Sequence, residues 1–446
     1  MRIQLPDPTA IQKIFSERTG VVFDNPVTGL TIDSRLVQPG DLYIALKGEH
    51  VDGHQFISDA QKKGAVACLV RKQEASIDNL QQIVVDDPLN TIGDIAHYWR
   101  KQFDIPVIGI TGTNGKTSTK ELLKHIFQHE YTVHATEGNF NTSISLPLTL
   151  LLLNETHTIS VLEMGASAPG DIAYLARVAN PTHGLITNIA PAHLEGFGSV
   201  DNIVQEKREL YHSLKNGISF VNKSDIYIST FHNEGISVTF GFTPDCDFSA
   251  DIYHEKNDGI TLIINSMEIQ TFSQNMSFAK NVLSAAAVAI TMGVSWETFQ
   301  NQIQTFTPPE GRCTLKQFNN VTFIDDTYNA NLESTLAAID YLKSFNNSGQ
   351  QYFIFGDMFE LGEETISAHR KIGEKCMQKK LDGVFTVGAE TKTTDNTLNS
   401  GMLHKHFSSK KDCISSVGAL IKPGDVVLVK GSRGMEMETI IKGLIG

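Results

Sequence analysis

Residues 109–117 read GITGTNGKT, and this stretch decides the fold of the middle of the chain. It overlaps the end of the apolar run IPVIGI, residues 105–110, and opens a segment whose leucine, isoleucine and phenylalanine residues recur at helical spacing. A glycine-rich turn between a strand and a helix lets backbone N–H groups and the helix N-terminus face phosphate oxygens. The stretch therefore predicts a phosphate-binding loop that binds ATP.

Two side chains of this loop add to the prediction. Lys116 would reach the β- and γ-phosphates, and the Thr117 hydroxyl would bind Mg²⁺. The loop departs from the strict GxxxxGK[ST] pattern, because Ile110 occupies the first glycine position. An ordinary glycine-rich turn is the alternative, and the combination of strand, GKT triplet and helix argues against it. The predicted ATP-binding residues of the loop are Gly112, Thr113, Asn114, Gly115, Lys116, Thr117 and Ser118.

Strand and helix patterns alternate on both sides of the loop. The runs IPVIGI, TISVLEM and HGLITNIA alternate with helical segments, which is typical of a mostly parallel sheet covered by helices. We predict an α/β protein of three domains: a small α/β domain over 1–86, a central P-loop ATPase domain with a parallel sheet over 87–308, and a Rossmann-like domain over 309–446. No GxGxxG motif follows the strands of the third domain, so dinucleotide binding is not predicted.

Composition excludes several other classes of protein. The 446 residues are 41% apolar and 20% charged, which is the balance of a folded globular protein. A formal charge of −13 repels polyanions, so no nucleic-acid partner is expected. The five cysteines are scattered without a CxxC pair, which fits reduced thiols in a cytoplasmic protein. No leader-like start or long apolar run is present, so we expect a soluble protein without membrane insertion. We also expect a monomer.

The form TGTNGKT resembles the Mur ligase family, and seven further segments strengthen the resemblance in the same order along the chain. They are DSRLVQPGDLYIALKGEHVDGHQF (33–56), GNFNTSISLPLTLL (138–151), LEMGA (162–166), NIAPAHLEGFGS (188–199), DDTYNAN (325–331), GDMFELG (356–362) and VKGSRGMEME (429–438). Together they span residues 33–438, almost the whole chain, and fall in all three predicted domains.

The resemblance is to the branch of the family that adds D-alanyl-D-alanine to UDP-N-acetylmuramoyl-tripeptide. It implies an ATP- and Mg²⁺-dependent amide ligase of peptidoglycan synthesis, which forms an acyl phosphate and yields UDP-MurNAc-pentapeptide, ADP and phosphate. The first domain would bind the UDP substrate, and the third would bind the dipeptide and part of ATP. Tripeptides with meso-diaminopimelate or with L-lysine both fit this interpretation.

The resemblance also implies a catalytic and metal-binding set. Glu163 ends the predicted strand TISVLEM at the sheet edge where ligands collect, and His193 follows the strand HGLITNIA to the same edge. Lys207 matches a lysine that family members carry as a carbamate, an anion that helps to hold Mg²⁺. A solvated carboxylate, a structural histidine and a surface lysine are the respective alternatives. The expected catalytic residues are Lys116, Glu163, His193 and Lys207, and the expected Mg²⁺ ligands are Thr117, Glu163, His193 and carbamylated Lys207.

The remaining site residues are carried over in the same way. For the base and ribose of ATP they are Asn281, Arg312, Asp326 and Tyr328. For the UDP-linked substrate and the dipeptide they are Ser34, Arg35, Lys47, His54, Asn139, Asn141, Thr142, Asn329, Asn331, Asp357, Met358 and Arg433. The sequence departs from the family pattern where Lys280 replaces a usual histidine, Leu332 a usual proline and Thr142 a common asparagine.

Three alternatives compete with this interpretation. A sibling Mur ligase or a folylpolyglutamate-type ligase would share the loop, but DDTYNAN and the DSRxVxPGDLYxALKG segment argue against each. A non-catalytic P-loop module that regulates a partner would not need the full set of Lys116, Thr117, Glu163 and His193. A kinase would transfer phosphate to a stable product, whereas a ligase releases phosphate only when both substrates are present.

Overall fold

The computed structural model describes residues 1–48, 51–255 and 259–446. Residues 49 and 50, which belong to the segment 33–56 quoted above, lie outside the described residues. Three α/β domains follow one another along the chain, as predicted, each built around its own sheet. The domain boundaries at 86/87 and 308/309 stay a prediction.

The first domain contains a five-stranded sheet in the order β1-β2-β3-β4-β5, in which only β1 and β2 are antiparallel. Its strands are β1 (Arg2–Gln4), β2 (Gly29–Thr31), β3 (Asp41–Ile44), β4 (Ala67–Val70) and β5 (Gln81–Val84). Its helices are α1 (Pro8–Thr19) and α2 (Ile57–Lys62). A further helix, α3 (Pro88–Arg100), leads to the central domain; Asp87 caps it by accepting the N–H of Leu89.

The central domain contains a nine-stranded sheet in the order β14-β13-β12-β11-β10-β9-β6-β8-β7, parallel from β12 to β7 and antiparallel at β12, β13 and β14. Its strands are β6 (Val107–Thr111), β7 (Val133–Ala135), β8 (Ile159–Glu163), β9 (His183–Ile186), β10 (Ile218–Asn222), β11 (Ile236–Gly241), β12 (Phe248–Glu255), β13 (Gly259–Ile264) and β14 (Met267–Gln270). Its helices are α4 (Lys116–Phe127), α5 (Ser145–Leu150), α6 (Asp171–Ala179), α7 (Leu194–Phe197), α8 (Val200–His212), α9 (Met276–Thr291) and α10 (Trp296–Thr305).

The third domain contains a six-stranded sheet in the order β15-β16-β20-β17-β18-β19, parallel except for the β15–β16 hairpin. Its strands are β15 (Thr314–Phe318), β16 (Val321–Asp326), β17 (Gln351–Gly356), β18 (Gly383–Val387), β19 (Leu403–Phe407) and β20 (Val426–Lys430). Its helices are α11 (Leu332–Ser344), α12 (Thr365–Lys379), α13 (Lys392–Thr397), α14 (Lys410–Gly418) and α15 (Glu438–Ile445).

The apolar core is distributed unevenly among the domains. One buried cluster runs from Ile3 through α3 to Phe231, so the first and central domains share it. Trp99 of α3 lies in this cluster and donates its indole N–H to the Leu153 carbonyl at 3.1 Å. The third domain has clusters of its own on the two faces of its sheet. None of the described helices is long and apolar enough to cross a membrane.

Candidate functional site

The phosphate loop joins β6 to α4, and two glycines permit its shape. Gly112 (φ 141°) and Gly115 (φ 81°) have backbone angles that residues with a Cβ rarely adopt. A Cβ at Gly112 would lie 2.0 Å from Thr187 Oγ1, and one at Gly115 would lie 2.5 Å from Asn281 Oδ1. The loop backbone therefore approaches its neighbours more closely than any larger residue would allow.

Lys116, the first residue of α4, folds back over this loop. Its ammonium donates to the carbonyls of Gly112 at 2.7 Å and Thr113 at 3.0 Å. Loss of hydration lowers the pKa of Lys116 to about 8, while the Glu163 carboxylate acts in the opposite direction. The ammonium is thus held where phosphate oxygens of a nucleotide could replace the two carbonyls as its hydrogen-bond acceptors.

A cavity of about 900 Å³ lies above the loop, between the central and third domains. Seventeen of the predicted site residues line it. They are Thr113, Asn114, Gly115, Lys116, Thr117, Ser118, Asn139, Asn141, Thr142, Glu163, His193, Asn281, Arg312, Asp326, Tyr328, Asn329 and Asn331. Residues far apart in the chain are thus gathered around one space, and both domains contribute to it.

Glu163 and Thr117 provide oxygen atoms that suit a magnesium ion. Glu163 is 2% exposed, and its Oε1 accepts a hydrogen bond from Asn141 Nδ2 at 2.6 Å. Its Oε2 is buried and has no hydrogen-bond partner among the described residues. An unpaired buried carboxylate oxygen is costly unless a cation or donor joins it. Together with the Thr117 hydroxyl, this oxygen fits the ligand preference of Mg²⁺.

His193 stands at the same edge but faces the third domain. Its Nδ1 lies 2.5 Å from Glu360 Oε2, and its backbone has the left-handed angle φ 52°. Burial lowers the pKa of His193, although Glu360 opposes the shift. A neutral imidazole suits either a metal ligand or a positioning role.

Lys207 on α8 is buried, with 3% of its surface exposed, and it does not line the cavity. Burial, reinforced by the charge of Lys116, lowers the pKa of Lys207 to about 7. A large fraction of this amine is therefore neutral near pH 7, the form that reacts with CO₂. The neighbouring Glu206 has a different role, since it accepts the backbone N–H groups of Gly170 and Ile172 at the start of α6.

Arg312, stacked on Tyr328, connects the third domain to the phosphate loop. The Arg312 guanidinium stacks 3.9 Å from the centre of the Tyr328 ring and donates to Thr117 Oγ1 at 3.0 Å. Asn281, from α9, lies against the loop at Gly115. The predicted base- and ribose-binding residues therefore all line the cavity.

The cavity lining also includes residues that the sequence did not predict, and three of them, Lys430, Asn188 and Glu333, make hydrogen bonds within the site. Lys430 is 2% exposed and donates to Asp326 Oδ2 at 2.5 Å and to the Asn329 carbonyl at 2.9 Å. A signal for it existed, because Lys430 ends a strand that is parallel to the strand ending in Asp326, and the two residues are paired in register. Asn188 and Glu333 carry no such signal, because their contact depends on how two domains meet.

Asn139, Asn141 and Thr142 lie in the segment between β7 and α5. Asn141 donates a hydrogen bond to Glu163, and the Thr142 hydroxyl is hydrogen-bonded to Ser145 Oγ at 3.1 Å, at the start of α5. In the third domain, Asn329 Oδ1 accepts the backbone N–H of Ala330, and Asn331 caps α11. These amides order the loops that line the cavity.

Two predicted substrate contacts have structural roles instead. Asp357 is buried, and its carboxylate accepts the backbone N–H groups of residues 389, 390 and 391, at 2.9, 3.1 and 2.8 Å. Met358 is 1% exposed and packs in the core of the third domain. Neither residue lines the cavity, because the chain turns both side chains inward directly after β17. Arg433 is exposed and pairs with Glu438 at 2.9 Å, with its guanidinium 5.9 Å from the Tyr328 ring centre.

The four residues predicted to bind the UDP moiety lie in the first domain and do not line this cavity. Arg35 forms a forked pair with Asp33 and thereby lowers the pKa of that carboxyl to about 2. His54 contacts Asp52 Oδ1 at 2.7 Å through Nδ1 and accepts the N–H of Arg71 through Nε2. Ser34 is buried, and Lys47 forms an isolated bridge with Asp52.

The sequence matches three models of the Mur ligase family. Residues 26–99 match the model described as the Mur ligase family catalytic domain, 110–289 the Mur ligase middle domain, and 311–433 the Mur ligase glutamate ligase domain. A relative from Haemophilus influenzae, named UDP-N-acetylmuramoyl-tripeptide–D-alanyl-D-alanine ligase, is 35% identical over 94% of this chain and 93% of its own length.

Solved structures are similar over nearly the whole chain. A crystal structure of MurF from Acinetobacter baumannii is 28% identical and covers 99% of this chain and 100% of its own, with a TM-score of 0.90. The MurF ligase from Thermotoga maritima in complex with ADP is 28% identical and covers 93% of this chain and 96% of its own, with a TM-score of 0.83. All three domains are therefore matched in sequence and in structure.

Proposed function

The chain belongs to the Mur ligase family, and from this premise we infer that it joins D-alanyl-D-alanine to UDP-N-acetylmuramoyl-tripeptide at the expense of ATP. The products are UDP-MurNAc-pentapeptide, ADP and phosphate, in peptidoglycan synthesis. The observation that supports this most directly is the cavity between the phosphate loop and the third domain, where Lys116, Glu163, Arg312 and Asp326 meet.

The reaction explains why so many cations and amides line the cavity. A carboxylate does not condense with an amine in water unless it first gains a leaving group. Attack of the tripeptide carboxylate on the γ-phosphate of ATP gives an acyl phosphate and ADP. Attack of the dipeptide amine on its carbonyl carbon then releases phosphate. Two anions must approach in the first step, so positioning and charge neutralisation account for most of the catalysis.

We assign these tasks to residues of the chain. Lys116 and the N-terminus of α4 bind the phosphates, because the ammonium and the unpaired N–H groups of the first turn face the loop. Arg312, stacked on Tyr328, neutralises charge from the third-domain side. Lys430 holds Asp326 in place for the ribose.

A magnesium ion bound with ATP would neutralise charge on the phosphates. Glu163 Oε2 and the Thr117 hydroxyl would hold it, and Asn141 fixes the orientation of the Glu163 carboxylate by binding its other oxygen. We propose His193 and carbamylated Lys207 as further members of this set.

The wider assignments follow from the same premise. We propose residues 1–86 as the domain that holds the UDP moiety, 87–308 as the ATP-binding domain, and 309–446 as the domain that receives the dipeptide. Ser34, Arg35, Lys47 and His54 are the proposed contacts in the first domain, and Arg433 is proposed to bind the dipeptide carboxylate. We also propose that the enzyme works as a monomer in the cytoplasm, and its five free cysteines fit a reducing compartment.

The test is phosphate release from ATP and Mg²⁺ with each UDP-muramoyl tripeptide, with and without D-alanyl-D-alanine, followed by product mass. We expect release to require both substrates and to accompany a UDP-pentapeptide. The preferred tripeptide identifies the third residue as meso-diaminopimelate or L-lysine. ATP turnover without a ligated product, or no turnover, would contradict the proposed function.

A further inference from the structure

Glu333 reaches from the third domain to the tip of the phosphate loop. It is the second residue of α11, and its Oε2 accepts hydrogen bonds from two amides of the central domain. Asn114 Nδ2 donates to this oxygen at 2.7 Å, and Asn188 Nδ2 donates to it at 2.9 Å. One carboxylate oxygen therefore joins the tip of the loop to the segment behind it.

The other end of the Asn114 amide is also bound by the third domain. Asn331, the N-cap of α11, donates its side-chain N–H to Asn114 Oδ1 at 2.7 Å. Both polar ends of the Asn114 side chain thus contact the first turn of α11. Held at both ends in this way, the Asn114 side chain at the tip of the loop has few alternative arrangements.

On the central side, the loop is held from behind by the chain that follows β9. The Asn114 backbone N–H donates to Asn188 Oδ1 at 2.8 Å, and the Thr113 N–H donates to the Asn188 carbonyl at 2.9 Å. Thr187 Oγ1 donates to the Asn114 carbonyl at 2.6 Å. Because Glu333 binds the side chains of both Asn114 and Asn188, it closes this network from the third-domain side.

We propose that Glu333 is a positioning residue that couples the seating of the third domain to the shape of the phosphate loop. Charge-assisted hydrogen bonds to a carboxylate are stronger than those between neutral groups. When the third domain is seated, the loop tip is fixed with its backbone N–H groups arranged for phosphate. When it moves away, the Asn114 side chain loses its hydrogen bonds to Glu333 and Asn331, and the loop gains freedom.

Thermodynamic reciprocity extends this coupling to the substrates, a step that rests on the proposed function. A ligand that seats the third domain must raise the affinity of the loop for nucleotide, and nucleotide must favour the seated domain by the same factor. D-alanyl-D-alanine, received on the third domain, is that ligand. Glu333 would then connect the two substrate sites without touching either reacting atom.

The simpler alternative is that Glu333 only stabilises α11. A carboxylate in the first turn of a helix interacts favourably with the helix dipole. That role predicts a change in stability alone, whereas coupling predicts a change in the loop and in nucleotide affinity.

The first experiment measures amide hydrogen exchange of the full-length protein without ligands. We expect Glu333→Ala to accelerate exchange in residues 112–118, the phosphate loop and the start of α4, while the β-strands exchange as in the wild type. Glu333→Gln, which keeps one acceptor oxygen without the charge, should fall between the two. Glu374→Gln, on the exposed face of α12, is the matched control and should behave as the wild type. Unchanged exchange of the loop in Glu333→Ala would overturn the proposal.

The second experiment measures the affinity for ADP by calorimetry, with and without D-alanyl-D-alanine, together with kcat and KM for ATP. In the wild type and in Glu374→Gln, the dipeptide should tighten ADP binding, by about fivefold. In Glu333→Ala this factor should approach one, and kcat/KM for ATP should fall more than kcat. An unchanged factor in Glu333→Ala would overturn the proposal. A wild type that forms no pentapeptide contradicts the proposed function, while the exchange experiment still decides the role of Glu333.

Discussion

A single buried imidazole makes the stability of the central domain depend on pH. His134 is 5% exposed; its Nδ1 lies 2.8 Å from Ser160 Oγ, and its Nε2 lies 2.9 Å from the Thr149 carbonyl. Burial lowers the pKa of His134 from 6.5 to about 4. The unfolded chain therefore takes up this proton at a higher pH than the folded protein does. The contribution of the neutral His134 to the unfolding free energy is complete above pH 6.5. It is lost as the pH falls toward 4, and the loss amounts to roughly 3 kcal/mol.

A His134→Gln variant separates this effect from other acid effects. It should be less stable near pH 7, by about 1–3 kcal/mol, because the buried hydrogen bonds are remade imperfectly. Its unfolding free energy should also fall less steeply between pH 6.5 and 4. Denaturant unfolding across this range is the measurement, with the exposed His129→Gln as control. Equal slopes in the wild type and His134→Gln would contradict the prediction.

Lys207 gives a second prediction at the scale of one residue. Because burial lowers its pKa to about 7, the neutral amine is abundant near neutral pH and can add CO₂. Lys207→Ala should lower ligation on the order of 100-fold if the carbamate takes part in holding the metal. Small carboxylates should restore part of the activity, and the exposed Lys215→Ala should stay active. Full activity of Lys207→Ala without any added carboxylate would contradict a carbamate.

Individual residues also show how far the sequence analysis could reach. Lys116 was predicted from the phosphate-loop motif, and Glu163 from its place at the end of a recognisable strand, because parallel strands end at a common edge. Asp357 was carried over from the family resemblance, yet it directly follows a strand and its carboxylate binds backbone N–H groups instead of facing the cavity. The direction in which a side chain leaves a strand end depends on the next turn of the backbone, which a motif does not specify.

At the scale of elements, α11 offers a direct test of a departure from the family pattern. Leu332 occupies its first turn, where a proline is usual. Asn331 has φ −138° and ψ 171°, an extended conformation that a residue before proline favours. A proline at this position removes an N–H that the helix does not use and restricts the unfolded chain. We therefore expect Leu332→Pro to fold with an unfolding free energy within about 1 kcal/mol of the wild type.

The control for this variant lies within the same helix. Ala338→Pro places proline in the middle of α11, where it removes a helical hydrogen bond, and should cost about 3 kcal/mol or more. Thermal unfolding followed by circular dichroism compares the two. A Leu332→Pro protein as unstable as Ala338→Pro would show that the side chain of Leu332, which packs against the third-domain core, outweighs the backbone effect.

The elements themselves were largely predictable, for a physical reason. Strands buried on both faces, such as β17 and β20, read as uninterrupted apolar runs, and helices such as α4 show a 3.6-residue period. The contacts between domains leave no such pattern. The network of Glu333 joins residues separated by 219 and 145 positions, and no local periodicity records it.

At the scale of the whole molecule, the domains are joined in two different ways. An apolar cluster is continuous between the first and central domains through α3. Polar side chains carry much of the contact with the third domain, including Arg312 with Thr117 and His193 with Glu360. Apolar burial gives a cooperative junction, whereas polar contacts exchange readily with water. The third domain is therefore the one expected to move during catalysis, and the cavity that it closes is the one that must exclude water.

This difference predicts that the chain unfolds as two cooperative units, and its two tryptophans allow the test. Trp99 and Trp296 both lie outside the third domain, so tryptophan fluorescence reports on the other two alone. In a Trp99→Phe protein, only Trp296 of the central domain remains as a reporter. Leu30→Ala, in the core of the first domain, should still lower the unfolding midpoint reported by Trp296. The core continues into the central domain, and this substitution costs about 2–5 kcal/mol of unfolding free energy. Ile339→Ala, in the third-domain core, should leave the Trp296 midpoint unchanged while shifting a separate calorimetric transition. A Trp296 midpoint that responds to Ile339→Ala as strongly as to Leu30→Ala would mean that all three domains unfold together, and that closure of the cavity stabilises the molecule as much as its cores do.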